Sequence, residues 1–431
     1  MKKRGKTLIK NKFIRNVVLL ASGTAGAQLI MILASPFITR LYGAEAYGIL
    51  GAFNAMANTI IPVAALTYPI AIVLPKNDSE SKEIMKLSLI ISLLLSTVLL
   101  IILMFFHENI INLFNLTDIS NYIFLLPLII IFAGLMQTAK QWLIRKNEFS
   151  INAKAAFYQS LISNSGIVAI GFFYPLSSVL ILITTFNNGL RAFIMFCAIK
   201  GKREFKFSLN FNKLKYIAKK YYDFPVFRAP ESLLTGISHG APVLMLSAFF
   251  GPASAGFYAI GRRVLTMPSQ LIGEAVGDVF YPKITSVYNE KQDIVKVIRK
   301  ATLVLSLLGI IPFGIVIIFG PSLFGLIFGE EWIRAGEYAR WIALWAFTNF
   351  INKPSGRTLA VINAQRYHLM YTTFGLLIKI LALAIGFYMF ENDEIAVALF
   401  SIIGAFLNIG LIMMTILLSK KKQLRVNKNI K

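Results

Sequence analysis

The amino-acid sequence predicts an all-α, polytopic membrane protein with about twelve transmembrane helices in two parallel-repeat lobes of six helices. Composition is the first reason: 56% of the 431 residues are hydrophobic, 15% are charged, and the mean hydropathy is +0.67. Soluble domains average about 25% charged residues. The second reason is that apolar residues recur in blocks of about twenty, long enough to cross roughly 30 Å of hydrocarbon. The third is that motifs of the first half recur in the second.

Apolar runs bounded by Pro, Gly and charged residues predict where the twelve helices begin and end. In the first half the predicted spans are 17–38, 46–74, 86–106, 122–142, 155–174 and 177–200. In the second half they are 224–249, 253–282, 301–319, 336–362, 368–390 and 395–418. We interpret the first span as a retained helix, because no cleavage site follows a short apolar core.

The distribution of Lys and Arg predicts the orientation of the chain in the membrane. Alternate connections and the two terminal segments hold 34 of the 44 basic residues, and the intervening connections hold almost none. Basic residues collect on the cytoplasmic side of membrane proteins. We therefore expect both termini in the cytoplasm and a multi-pass protein of the bacterial cytoplasmic membrane. The net charge of +24 then reflects topology and contact with membrane lipids, not nucleic-acid binding.

An internal repeat defines the two predicted lobes. The segment Leu41 to Gly48 resembles Phe249 to Gly256, 208 residues later, and both contain an aromatic residue followed by Gly. Because six predicted helices lie between the two copies, they have the same orientation, as in parallel-repeat transporters. The predicted domains are residues 1–210 and 211–431.

Charged residues inside the predicted spans are the candidate functional residues, because burying a charge in hydrocarbon is costly. We select ten of them, of which seven are basic and three are acidic. Helical spacing places several on shared faces: Arg228, Glu231 and His239 on the seventh helix, Arg263, Glu274 and Asp278 on the eighth, and Lys353 and Arg357 on the tenth. The others are Arg191, Arg262 and Lys379.

Structural interpretations of these residues remain open at this point. Arg228 and Glu231 have the spacing of an ion pair within one helix. Glu274 and Asp278 fit a solvated helix end at the cytoplasmic headgroups, and Lys379 fits a side chain that extends along a neighbouring helix. A histidine such as His239 is more often a hydrogen-bonded packing residue than a proton relay. Arg263 fits a structural interpretation least well, because it lies roughly 15 Å from the outer end of its helix.

Enzyme chemistry has little support in the sequence. No phosphate-binding G-x-x-x-x-G-K-[ST] loop occurs, and the longest outer connections are only about 15 to 17 residues. Cys197 is the single cysteine and the three histidines are scattered, which indicates no disulfide and no metal site. We expect no catalytic residues, no cofactor and no enzyme activity.

The junctions and the eighth helix resemble the polysaccharide-biosynthesis (O-unit, Wzx-type) flippases of the multidrug/oligosaccharidyl-lipid/polysaccharide (MOP) exporter superfamily. The similarity lies in Arg40-Leu41-Tyr42-Gly43-Ala44-Glu45-Ala46-Tyr47-Gly48, in Gly256 to Pro268, and in Val279-Phe280-Tyr281-Pro282. Arg263 and Pro268 occupy positions where that family commonly has Arg and Pro.

The resemblance implies a flippase that moves polyprenyl pyrophosphate-linked oligosaccharide across the cytoplasmic membrane for cell-surface polysaccharide assembly. Transport would proceed by alternating access through a cationic central cavity. The expected partners are this anionic lipid-linked oligosaccharide, a coupling cation (proton or sodium), membrane lipids and other polysaccharide-assembly proteins. The candidate cavity residues are Arg263, Arg262, Arg228, His239, Arg40, Lys353 and Arg357, and the coupling-ion candidates are Glu231, Glu274 and Asp278.

Three other functions remain open on the sequence. A cation-coupled drug exporter of the same superfamily would favour an acidic cavity for organic cations, against the observed excess of bases. A membrane enzyme acting on lipid-linked glycans would need convergent acids or bases. A structural subunit of a glycan-assembly complex would need none of the intramembrane charges.

Overall fold

The structure, a computed structural model, describes residues 2–114, 117–200, 210–290, 292–362 and 364–428, with side chains 2–22 and 268–279 among those outside the description. All regular secondary structure in these ranges is helical. Eight stretches are long and apolar enough to cross a membrane. The predicted all-α, polytopic membrane fold is confirmed.

The helices fall into two units. The first unit, residues 1–248, contains α1 (Lys2–Ile60), α2 (Asp78–Phe114), α3 (Leu126–Arg145), α4 (Phe149–Gly171), α5 (Ser177–Lys200), α6 (Phe211–Lys220) and nearly all of α7 (Ala229–Phe250). The second unit, residues 249–431, contains α8 (Pro252–Asn289), α9 (Ile294–Phe328), α10 (Ile333–Ile351), α11 (Lys353–Val361), α12 (Gln365–Phe390) and α13 (Asp393–Lys428). The lobe boundary at 210/211 comes from the repeat and stays a prediction.

Two glycines mark the repeated junctions. Gly43 interrupts α1 with φ 69° and ψ 175°, and Gly251 precedes α8 with φ 90° and ψ 172°. Only glycine adopts these φ and ψ values without strain, because it has no Cβ. The two glycines stand at equivalent positions of the sequence repeat, so the same local backbone bend recurs in both units. The first two predicted helices are the parts of α1 before and after Gly43.

The second predicted helix, 46–74, ends earlier than the hydropathy indicated. The α-helix stops at Ile60 and continues as short 3₁₀ segments, Ile61–Val63 and Tyr68–Val73. Pro62 and Pro69 lack the amide hydrogens that would continue the α-helix, and Leu66 and Thr67 adopt positive φ. Gln137 donates to the Ile61 carbonyl at 2.7 Å, which satisfies a carbonyl at the broken helix end.

A short helix, α6, lies before α7 and was not among the twelve predicted spans. Helix α6 has ten residues, and Asn210 caps it by accepting a hydrogen bond from the Lys213 amide at 3.1 Å. Leu214 and Ile217 are buried on one face, while Lys residues and Tyr216 are exposed on the other. A short amphipathic helix has no continuous apolar run, so a hydropathy search overlooks it.

Ion pairs fix α6 and the end of α3 to the start of α2 in the first unit. Asp78 accepts from Arg145 Nε at 2.9 Å and from Lys146 Nζ at 2.5 Å. Glu80 accepts from Lys220 Nζ at 2.5 Å and from the Tyr221 hydroxyl at 3.0 Å. The hydrogen bond to Glu80 raises the pKa of Lys220 above its usual value. This network positions the basic connection before α7.

Helices α8, α10 and α13 of the second unit are joined at one end by a buried carboxylate. Asp393, only 5% exposed, accepts from Ser254 Oγ at 2.5 Å and from Arg334 Nη2 at 2.6 Å. The neighbouring Glu394 accepts from Trp341 Nε1 at 3.1 Å. These contacts hold the beginning of α8 in place. Arg262 and Arg263 lie about two turns further along the same helix, so these contacts help to position them as well.

Candidate functional site

Arg262 on α8 lies in a cluster of cationic and aromatic side chains inside the second unit. Its guanidinium carbon is 5.9 Å from the ring centroid of Trp345 on α10. Lys379 on α12, which interacts electrostatically with Arg262, has its Nζ 5.5 Å from the ring centroid of Phe400 on α13. Aromatic faces attract cations, with larger effects where water is excluded. The cluster places two bases side by side among four helices.

Arg263 lies on the neighbouring face of α8, about 100° around the helix from Arg262. Its side chain is half-buried, and its backbone carbonyl accepts from Thr266 Oγ1 at 3.3 Å, which keeps Thr266 turned toward the helix backbone. Because consecutive residues project in different directions, the aromatic cluster that contacts Arg262 does not determine where the Arg263 guanidinium points. The two arginines thus project in directions about 100° apart.

Lys353 and Arg357 are both exposed on α11, one helical turn apart. Ser355 and Thr358 on the same helix are fully buried, so the two bases lie together on the outer face of α11. The tenth predicted span, 336–362, is in fact two helices, because Asn352 separates α10 from α11 and Pro354 follows it. Lys353 and Arg357 therefore lie on α11 and not on α10.

Glu274 and Asp278, two of the three coupling-ion candidates, lie on α8 in the segment whose side chains are outside the described residues. The third, Glu231, lies on α7 and is exposed. Its backbone carbonyl accepts from Thr235 Oγ1 at 2.9 Å. Only the predicted position of Glu231 on a polar face can therefore be compared with the structure.

Helix α7 in the first unit presents a polar stripe of exposed side chains: Arg228 at its beginning, then Glu231, Thr235 and His239. Among the described residues, Arg228 and Glu231 form no ion pair with each other. His239 is exposed, which does not fit a buried packing residue. The stripe is available to a ligand or to lipid.

Two glycines bring α7 close to the part of α1 after Gly43. A Cβ added at Gly236 would lie 2.8 Å from Thr59 Cα, and one at Gly240 would lie 2.9 Å from the Ala55 carbonyl oxygen. These contacts use the flank of α7 next to the polar stripe and leave the stripe uncovered. Arg40, also a candidate, is exposed on α1 three residues before Gly43.

A further set of polar side chains, which the sequence analysis did not assign to the site, joins α4 and α5 in the first unit. Asn187 Oδ1 accepts from Gln159 Nε2 at 2.9 Å and from Ser163 Oγ. Arg191, one turn beyond Asn187, donates to Asn152 Oδ1 at 3.0 Å. The signal for these contacts is the run Asn187, Asn188 and Arg191 within an apolar helix.

Metal binding finds no support in the side chains that the structure describes. In those residues, no group of three or more His, Cys, Asp or Glu side chains is placed to hold a metal ion. Cys197 is exposed as a free thiol. The described polar side chains of the spans are mainly guanidinium, ammonium, amide and hydroxyl groups, which bind oxygen-rich anions and sugars by hydrogen bonds.

Solved structures similar to this chain belong to one superfamily of membrane transporters. An inward-facing multidrug resistance MATE family transporter of the MOP superfamily is 15% identical, covers 93% of this chain and 96% of its own, and gives a TM-score of 0.70. The lipid II flippase MurJ in an inward closed conformation is 16% identical, covers 94% and 91%, and gives 0.71. A MOP transporter from Pyrococcus furiosus, described as having a binding pocket of reverse polarity, is 12% identical over 97% and 96%, with a TM-score of 0.56.

The fold is therefore that of the multi-pass transporters of the MOP superfamily. The family model described as polysaccharide biosynthesis protein matches residues 29–337, which is most of the chain. The chain belongs to this polysaccharide biosynthesis protein family, as the sequence resemblance predicted. A comparison with curated protein sequences gave no match.

Proposed function

We propose that the protein is a flippase that moves polyprenyl pyrophosphate-linked oligosaccharide across the bacterial cytoplasmic membrane for cell-surface polysaccharide assembly. It would work by alternating access through a cationic pathway. The observation that carries this proposal is the excess of bases among the ten candidate charges within the spans of a polysaccharide biosynthesis protein, seven bases to three acids. The substrate pairs a pyrophosphate, with two or more negative charges, with a hydrated glycan, and neither crosses hydrocarbon unaided.

The basic side chains support this assignment by their chemistry. Arginine binds phosphate oxygens in a bidentate manner, and lysine offers a compact point charge. Arg263, Arg262, Arg228, Arg40, Lys353 and Arg357 are the proposed phosphate-binding residues, and His239 is a further polar contact. Amide and hydroxyl side chains would bind the sugar. No step of this transport makes or breaks a covalent bond, so the proposal does not require an enzyme activity.

A cell-based experiment tests the proposal. Depletion of the protein should leave the lipid-linked oligosaccharide in the cytoplasmic leaflet, where it accumulates, and surface polysaccharide should fall. Both changes should reverse when the protein is restored. Normal export of the glycan after depletion, with no accumulation of the lipid-linked precursor, would contradict the assignment.

We predict that transport depends on an ion gradient and not on a nucleotide. The sequence has no phosphate-binding loop, and Glu231, Glu274 and Asp278 are candidates for binding a proton or sodium. Purified protein in sealed vesicles should accumulate the lipid-linked oligosaccharide against its concentration gradient without ATP when a gradient is imposed. Accumulation that persists after all ion gradients are collapsed would refute the coupling, whereas simple equilibration would not.

We predict twelve spans with both termini in the cytoplasm, because the basic residues lie in alternate connections. Single cysteines would be introduced after the exposed Cys197 is replaced by serine. Cysteines near residues 115 and 392 should react with an impermeant reagent added outside intact cells, and those near 210 and 290 should react only after permeabilisation. A reversed result at two of these four sites would contradict the topology.

Charge distinguishes this function from drug export by the same superfamily. An exporter of organic cations needs acidic side chains that are accessible to its substrate, and here the described intramembrane charges are mainly basic. The same excess favours an anionic substrate over a purely structural role, because retaining unneeded charges within hydrocarbon is unfavourable. Other polysaccharide-assembly proteins are proposed partners on the two sides of the membrane.

A further inference from the structure

Arg191 places a positive charge within an apolar helix of the first unit. It lies on α5 nine residues before Lys200, roughly 13 Å along the helix from that end. Its Nη2 donates to Asn152 Oδ1 at 3.0 Å, and Asn152 is only 2% exposed. The Nε of Arg191 is buried and has no hydrogen-bond partner. Within the described part of the chain Arg191 forms no ion pair.

Arg145, in the same unit, is an arginine with a structural role and serves as a comparison for Arg191. Its Nε donates to Asp78 at 2.9 Å, its Nη1 to the Pro75 carbonyl at 2.6 Å, and its Nη2 to the Lys76 carbonyl at 3.3 Å. The charge is neutralised and each nitrogen has an acceptor. Arg191 has neither a counter-charge nor a full set of acceptors. An unpaired, partly satisfied guanidinium in an apolar span costs free energy, and such groups usually serve a function.

The surroundings of Arg191 are hydrophilic along α4. Asn187 lies one turn away on the same face of α5 and accepts from Gln159 at 2.9 Å. Further along α4, Asn164 donates to the Ser160 carbonyl at 2.7 Å and lines a cavity of about 790 Å³ between α1 and α4. From Asn152 to Asn164 these side chains extend over roughly 18 Å of helix. A polar seam therefore runs through the apolar part of the first unit.

We propose that Arg191, held by Asn152, is an anion-binding site for a phosphate group borne on a lipid. This inference rests on the proposed function and adds to it, since it places a further phosphate-binding residue on α5 of the first unit. Arg191 is only partly buried, and a guanidinium that keeps N–H groups to spare can pair with two oxygens of one phosphate. The same chemistry is present in a polyprenyl pyrophosphate and in the headgroup of an anionic phospholipid.

Binding measurements on the purified full-length protein in nanodiscs test the site. The probes are a polyprenyl pyrophosphate and phosphatidylglycerol, with inorganic pyrophosphate as the anion without a lipid. Arg191→Gln should weaken polyprenyl pyrophosphate binding about tenfold, the loss expected of one charged hydrogen bond. Arg191→Lys should retain part of the affinity, because the charge remains and the fork is lost.

Thermal stability separates binding from a structural role. Arg191→Gln should leave the Tm unchanged or raise it, because an uncompensated charge is removed, whereas Arg145→Gln should lower the Tm. Asn152→Asp is a second variant: it gives Arg191 a carboxylate, so the Tm should rise and the anion affinity should fall about tenfold. These results together would support the site.

The outcomes have separate meanings. Loss confined to polyprenyl pyrophosphate supports a substrate site, and loss for both lipids supports a site for phospholipid headgroups. Unchanged binding of every anion together with a lower Tm in Arg191→Gln would overturn the proposal and make Arg191 structural. If wild-type protein binds these anions through Arg191 but moves no glycan lipid in vesicles, the proposed function fails while the anion site stands.

Discussion

Replacing Arg263 with alanine is expected to reduce translocation of the lipid-linked oligosaccharide to the background of protein-free vesicles. A bidentate pair between guanidinium and pyrophosphate contributes two charged hydrogen bonds, each about 1.5–3 kcal/mol. Losing both corresponds to roughly a hundredfold or greater loss in substrate affinity or rate. The measurement is initial translocation rate at matched amounts of inserted protein, with Arg263→Lys expected to retain partial activity.

Arg262→Ala is the matched comparison for this variant, because the two arginines are adjacent on α8 but project about 100° apart. Arg262 contacts the Trp345 ring, so its loss should lower the Tm, since a cation–aromatic contact contributes about 0.5–2 kcal/mol. Its effect on translocation should be smaller than that of Arg263→Ala. If Arg263→Ala inserts normally and transports at the wild-type rate, Arg263 does not bind the substrate.

Replacing Gly251 with valine is expected to reduce the amount of folded protein more than any other single change at the repeated junctions. Gly251 has φ 90° and ψ 172°, where a side chain is strained by about 1–3 kcal/mol, and more when it is branched at Cβ. A Cβ at Gly251 meets nothing within 4 Å, so a loss in Gly251→Ala reports backbone strain and not a clash. Gly251→Ala should be intermediate, as measured by detergent-solubilised monomer and its Tm.

Gly314 is the control for this prediction. A Cβ there also meets nothing within 4 Å, but Gly314 lies within helix α9. Gly314→Ala should leave the amount of folded protein unchanged or increase it, because alanine favours helix by up to about 1 kcal/mol. Equal losses from Gly251→Ala and Gly314→Ala would show that the junction does not need the glycine conformation.

Hydropathy predicted most of the helices because the free energy of burying apolar side chains in a membrane is local and additive along the chain. Span 177–200 matches α5 at both ends. The ends of others moved: α9 runs from Ile294 to Phe328 where 301–319 was predicted, since the helix continues beyond the hydrocarbon and Asp293 caps it through the Lys296 amide at 3.0 Å. Capping and proline positions decide helix ends, and hydropathy does not record them.

The candidate site was only partly predictable. The sequence identified which helices contain intramembrane charges, because a charge in an apolar run is visible without a structure. It could not identify partners that are distant along the chain. Arg262 and Trp345 are 83 residues apart, and Arg191 and Asn152 are 39 residues apart. Such contacts depend on how the helices pack. The contact partners of Arg191 and Arg262 could therefore be identified only from the structure.

The most direct test of the central claim is whether the protein transports an anion or a cation. Purified wild-type protein and Arg263→Ala would be placed in sealed vesicles without ATP, and transport of a labelled polyprenyl pyrophosphate-linked oligosaccharide would be compared with transport of an organic-cation dye. We predict that wild-type protein moves the anionic glycan lipid faster than protein-free vesicles, that Arg263→Ala does not, and that neither moves the dye. Transport of the dye by wild-type protein, with no movement of the glycan lipid, would contradict an anion flippase and identify a cation exporter.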